Sequence, residues 1–180
     1  MRNCLILLIV LTGFGCKIDR DKKVDREKFT FLMGDDSELF FRNTRQIFYD
    51  RYSPDGTWQA YRFSDRYKGN DRPLIIPVIV INWLEDEAYL LIETNQALAS
   101  EDEIRITISN PQQETDTLVL RERGMARMLE FGSQLYEALQ SNSKIMVLNH
   151  NEYVPVLMEE TDREMFRITM SDFYRLTRIF

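Results

Sequence analysis

A chain of 180 residues with 44% apolar and 12% aromatic side chains is long enough to bury the core of one domain. Its formal charge of −6 argues against nucleic acid and against broad contact with anionic lipid, because both would repel an acidic body. Its two cysteines, Cys4 and Cys16, lie within the first sixteen residues. No disulfide, thiol catalyst or cysteine-based metal site can therefore form beyond them, and the body depends on burial alone.

The first element is Arg2 to Cys16, RNCLILLIVLTGFGC. One basic residue precedes an apolar run that ends in small residues and a cysteine, the three-part layout of a secretory signal. The apolar stretch is about a dozen residues, short of the roughly 20 that a spanning helix needs. With Gly13-Phe14-Gly15 leading into Cys16, the stretch resembles the signal peptide of a bacterial lipoprotein. The resemblance implies cleavage after residue 15, acyl chains (palmitate among them) on the Cys16 sulfur, and a mature protein held at the cell envelope. In such lipoproteins an Asp after the cysteine favours retention at the inner membrane, so Lys17 points to the outer one. An ordinary cleaved signal, or an N-terminal piece of the fold, are the alternatives.

Residues 16–28 then read as a charged tether, since Lys17 to Lys28 (KIDRDKKVDREK) has too little apolar content to fold. Residues 17–28 carry a formal +2, and residues 29–180 carry −9. The single domain is expected to be 29–180. Its opening is dense in aromatics, and Glu38–Arg42 and Arg45–Tyr52 read as extended. Ser53-Pro54-Asp55-Gly56 is a turn, because proline presets its backbone angle and glycine accepts positive φ. In Thr57–Phe63, aromatics fall on both faces. Leu74 to Leu84 is the greasiest segment of the body and reads as a strand buried on both faces. Pro77 within it points to a bulge or to pairing on one side only. Ala88–Thr94, Glu103–Ser109 and Thr117–Leu120 follow as strands.

Gly124 to Gln140 is the long amphipathic helix, with Met125, Met128, Leu129, Leu135, Tyr136 and Leu139 at three- and four-residue steps. Gly132 shares that face. It costs about 1 kcal/mol against alanine, which implies close approach of the helix backbone to a sheet. Lys144–Leu148 and Tyr153–Met158 form a hairpin, Met165–Met170 reads as a strand, and Asp172–Arg178 as a short C-terminal helix. No βαβ alternation appears. The expected class is α+β: an antiparallel sheet or β-sandwich packed by one amphipathic helix over 124–140.

Candidate chemistry is sparse. The one histidine, His150, sits in a predicted turn between asparagines and reads as an exposed turn residue. The acidic runs at Asp35-Asp36, Glu85 to Glu87 and Glu101 to Glu103 lack the spaced ligands of a calcium loop. No Gly-x-Ser-x-Gly elbow, phosphate-cradling loop or cofactor motif is present. Asp116, Glu159, Glu160 and Asp162 are the carboxylates that a hydrolase would draw on. The leading expectation is a non-enzymatic envelope lipoprotein attached through Cys16 that binds a protein partner or supports envelope assembly. The second is a module for a small apolar or glycan ligand using Trp58, Tyr61 and Trp83. A carboxylate-based hydrolase comes third.

Overall fold

The computed structural model describes residues 24–53, 56–98, 103–112 and 114–180. The signal stretch and Cys16 lie outside the described residues. The body nevertheless reaches further back than expected. Val24 is already buried, and Arg26 pairs with Glu130 at 2.9 Å and Glu137 at 2.7 Å. Residues 24–28, expected in the tether, therefore belong to the folded body.

Helix α1 (Asp35–Phe40) runs on through a wider π-type turn (Phe41–Arg45) and a tight 3₁₀ turn (Gln46–Phe48) into β1 (Tyr49–Tyr52). Then come β2 (Trp58–Phe63), β3 (Ile75–Asn82), β4 (Glu87–Thr94), β5 (Ile104–Ser109), β6 (Thr115–Leu120) and α2 (Met125–Gln140). The chain closes with β7 (Lys144–Asn149), β8 (Glu152–Pro155) and α3 (Glu160–Leu176). The strands form two antiparallel sheets, ordered β1-β2-β3-β4 and β6-β5-β7-β8. The fold is α+β.

Each sheet follows from local sequence. Every residue of β3 is buried, as its β-branched run requires. Pro77 pairs with Ile92 of β4, while the ladder to β2 stops at Ile79, so the missing N–H falls where one side is unpaired. The Ser53 hydroxyl accepts from the Gly56 amide at 3.1 Å and donates to the Trp58 carbonyl at 2.8 Å. Gly56 takes φ +79°, the conformation that the turn demands of it. His150 and Asn151 both have positive φ and are exposed at the tip of the β7–β8 hairpin.

The outer face of the first sheet is closed by charge. Arg62 on β2 reaches across β3 to Glu93 on β4 with two hydrogen bonds of 2.7 and 2.6 Å. The pair lies on the face that carries Ile76 and Val78, and both of those are buried. The opposite face, with Tyr61, Ile79 and Leu90, packs against the helices.

Helix α2 is buried on two flanks, which explains why its apolar stripe is so wide. Phe131 and Ala138 face toward β6, while Gly132 and Tyr136 meet the first sheet and α3. A Cβ on Gly132 would sit 2.6 Å from Leu90 Cδ2 and 3.3 Å from Met170 Cε, so the close approach read from the sequence is present. Beside it the Tyr174 hydroxyl donates to Ser133 Oγ at 2.8 Å, locking α2 to α3.

The expected elements are corrected in two segments. Met165–Met170 is not a strand, and the C-terminal helix is not short: both lie in the 17-residue α3, so two long helices cover the sheet rather than one. Its inward row runs Asp162, Met165, Phe166, Thr169, Met170, Phe173, a helical spacing with polar residues in the buried positions. Glu38–Arg42 and the first half of Arg45–Tyr52 are helical turns rather than strands, because Phe41 and Arg45 face inward at a four-residue step.

Gly132→Val should lower unfolding stability in urea by roughly 1–3 kcal/mol, since the new side chain enters a filled contact. Gly124→Ala, at a position with nothing within 4 Å of the added carbon, should leave the midpoint nearly unchanged.

Candidate functional site

The segment from α1 to β1 sorts its side chains by four-residue steps. Glu38, Arg42 and Gln46 form one row, and they line a cleft together with Arg51 from β1, Gln59 and Tyr61 from β2, and Trp83 after β3. Its volume is about 370 Å³, at the lower end of the range for small-molecule sites. Phe41 and Arg45 form the inward row. Leu39 and Ile47, with Phe40 and Phe48 beside them, form the outward rows and are exposed, Leu39 by 61% and Ile47 by 73%.

The floor of the cleft is aromatic and hydrogen-bonded. Tyr61 is fully buried, edge-on to Phe41 at 5.2 Å and to Tyr49 at 6.4 Å. Its hydroxyl donates to Gln59 Oε1 at 2.7 Å, and Trp83 lines the same cleft. Burial raises the Tyr61 phenol above its usual range, and Arg51 and Arg42 pull against that. The Arg42 guanidinium lies 5.5 Å from the centre of the Trp83 ring and holds Glu38 at 3.1 Å. Arg51, opposite Tyr61 in the β1–β2 ladder, has no carboxylate partner among the described residues.

What fixes the row of cleft residues lies behind it. Asp172 of α3 is 4% exposed and takes Arg45 Nε on both oxygens, at 2.8 and 3.0 Å. The Tyr49 hydroxyl donates to the same carboxylate at 2.7 Å. Arg45 in turn lies over the Phe48 ring at 4.8 Å. Burial raises the Asp172 carboxyl above its ordinary value despite these bonds, and burial, with the Asp172 carboxylate adding to it, holds the Tyr49 phenol well above its own.

Of the three aromatics expected at a ligand site, Tyr61 and Trp83 meet at the floor of this cleft. Trp58 does not join them. Strand alternation puts it on the other face of the sheet, where its ring packs on Tyr89 at 5.4 Å. Sequence reasoning missed Glu38, Arg42, Gln46, Arg51 and Gln59. The four-residue step from Glu38 to Gln46 and the antiparallel pairing of β1 with β2, which sets Arg51 against Tyr61, are the signals that would have found them. Three of the four candidate carboxylates stand together at the start of α3, where Glu159 is the N-cap residue, and one stands apart. Asp116 lies on β6, while Glu160 and Asp162 sit in the first turn of α3, paired with Arg167 and Arg72. Among the described residues, no three histidine, cysteine or carboxylate side chains converge as a metal site would require.

A second concavity, of about 630 Å³, lies between β6 and α2 and is walled by Leu118, Leu120 and Phe131 with Arg127 and Glu130. Its charges are of both signs and it contains none of the expected aromatics. No family model, curated protein or solved structure matches the chain.

The Asp172 carboxyl gives a test with a definite sign. A carboxyl whose pKa is higher in the folded chain keeps its proton to higher pH there than in the unfolded chain. Its contribution to stability is therefore complete below the ordinary 3.8 and is lost as pH rises through the folded value. Denaturation of the native protein and of Asp172→Asn across this range should show the stability advantage of the native protein shrinking as pH rises. An advantage that grows with pH would contradict the shift.

Proposed function

We propose that the chain is a non-enzymatic lipoprotein of the bacterial envelope, attached by acyl chains on Cys16, whose α+β body docks a protein partner at the membrane. The resemblance of the first sixteen residues supports the anchor, and Lys17 favours the outer membrane. One observation carries the docking role: Leu39, Phe40, Ile47 and Phe48 are exposed together on the outward rows of the α1 segment. Scattered apolar residues on a surface are ordinary, whereas several grouped on one short element mark an interaction surface. Among the described residues, no helix is long and apolar enough to cross a membrane, so attachment in this reading falls to the lipid.

The buried position of Val24 also bounds the geometry. Seven residues separate it from Cys16, so the two Cα atoms are at most roughly 28 Å apart, whatever path the chain takes. The body would thus work within about one domain diameter of the bilayer. A ligand-binding role is the second reading, favoured by the meeting of Tyr61 and Trp83 in one cleft. Hydrolysis by a carboxylate pair has less behind it, since Glu160 and Asp162 are already engaged by arginines.

Mass spectrometry of the protein expressed in bacteria should find a chain that begins at Cys16 and carries acyl mass. Cys16→Ser should shift it from the membrane to the soluble fraction. An intact Met1 with no acyl mass would contradict the anchor. A photo-crosslinker at Ile47 should give a discrete product that the same group at exposed Lys144 does not, and identical patterns at both would contradict the docking surface.

A further inference from the structure

The cleft beside α1 has a charge opposite to that of the body around it. Arg42 and Arg51 stand against Glu38 alone, a net +1, while residues 29–180 carry −9. Its hydrogen-bonding capacity is equally one-sided. Glu38 is held by Arg42, and the Gln59 carbonyl accepts from Tyr61, so what remains is mostly donors. These are the guanidinium of Arg51 and the amide NH₂ groups of Gln59 and Gln46, none with a protein partner among the described residues. A donor-rich site requires a ligand rich in acceptors.

From this arrangement we infer that the cleft is a binding site for a small organic carboxylate of hexuronic-acid size. The planar fork of Arg51 matches the two oxygens of a carboxylate, and a net +1 is neutralised by a monoanion. The two glutamine amides suit the hydroxyls of a pyranose ring, and about 370 Å³ holds one such ring with its waters. Trp83 offers an apolar wall that already carries a cation, so ring and charge reach the ligand as one unit. Tyr61 is the floor rather than a ligand contact, because it is fully buried and its hydroxyl is given to Gln59. The site is independent of the Cys16 anchor and of the outward apolar rows.

The chain has two tryptophans, and the sheet separates them: Trp83 in the cleft and Trp58 on the opposite face. Nitrogen–proton NMR of the full chain in detergent therefore gives one reporter and one internal control. Titration with glucuronate should move the Trp83 indole signal and leave that of Trp58 in place. Glucose, which lacks the carboxylate, should bind about tenfold more weakly or worse, and Arg51→Gln should weaken glucuronate by a similar factor. Arg51 is exposed and has no carboxylate partner among the described residues, so this variant should keep the native spectrum elsewhere. Equal binding of glucose, or no loss in Arg51→Gln, would overturn the carboxylate assignment. Inorganic phosphate binding more tightly than glucuronate would overturn it as well, in favour of a phosphate site. A Trp83 signal unmoved by all three probes would overturn the site itself.

Discussion

Asp172 is an ionisable group taken almost wholly out of water, and three parts of the chain are arranged around it. It projects from the C-terminal helix, takes both hydrogen bonds from Arg45 and a third from Tyr49, and so ties α3 to the α1 segment and to the first strand. Removing one partner of a buried ion pair costs roughly 3–5 kcal/mol, a large part of what a domain this size has in reserve. With no cysteine beyond residue 16, no covalent crosslink within the body shares that burden. The tie also orders what lies in front of it. With Arg45 fixed inward, the neighbouring row of Glu38, Arg42 and Gln46 turns toward Trp83, and the rows of Leu39 and Phe40 turn to the surface.

The sheets were legible because their signals are local. The β-branched run of β3, the turn chemistry of Ser53 to Gly56, the alternation of Ile104, Ile106 and Ile108, and Gly132 on the apolar face of α2 each state their role within a few residues. The two misread segments are those whose inward residues are polar and whose partners are distant in sequence. In α3 the buried row includes Asp162, Thr169 and Asp172, which an apolar pattern skips, and the β-branched Ile168 and Thr169 favoured a strand. In the α1 segment most large apolar residues face outward and the inward anchor is an arginine, so no stripe of one polarity exists to count. The partner that makes Arg45 an inward residue lies 127 positions away.

The same property explains how much of the site could be foreseen. Tyr61 and Trp83 were expected at a ligand site as aromatics, together with Trp58. Their union in one cleft depends on the turn after β3 bringing Trp83 back over β2, and on an α1 segment that the sequence pattern concealed. The separation of Trp58 from them follows from strand alternation alone. The proposed docking rows and the proposed carboxylate cleft share one short segment, the element that Asp172 holds.

That dependence is open to direct measurement by hydrogen exchange on the intact chain carrying Arg45→Met. If the buried carboxylate docks the segment, amides of residues 35–48 should lose protection by orders of magnitude, while those of β3 and α2 stay close to native. Unchanged protection over residues 35–48 would contradict the account. It would mean that Phe41 and its aromatic neighbours hold the segment without the ion pair.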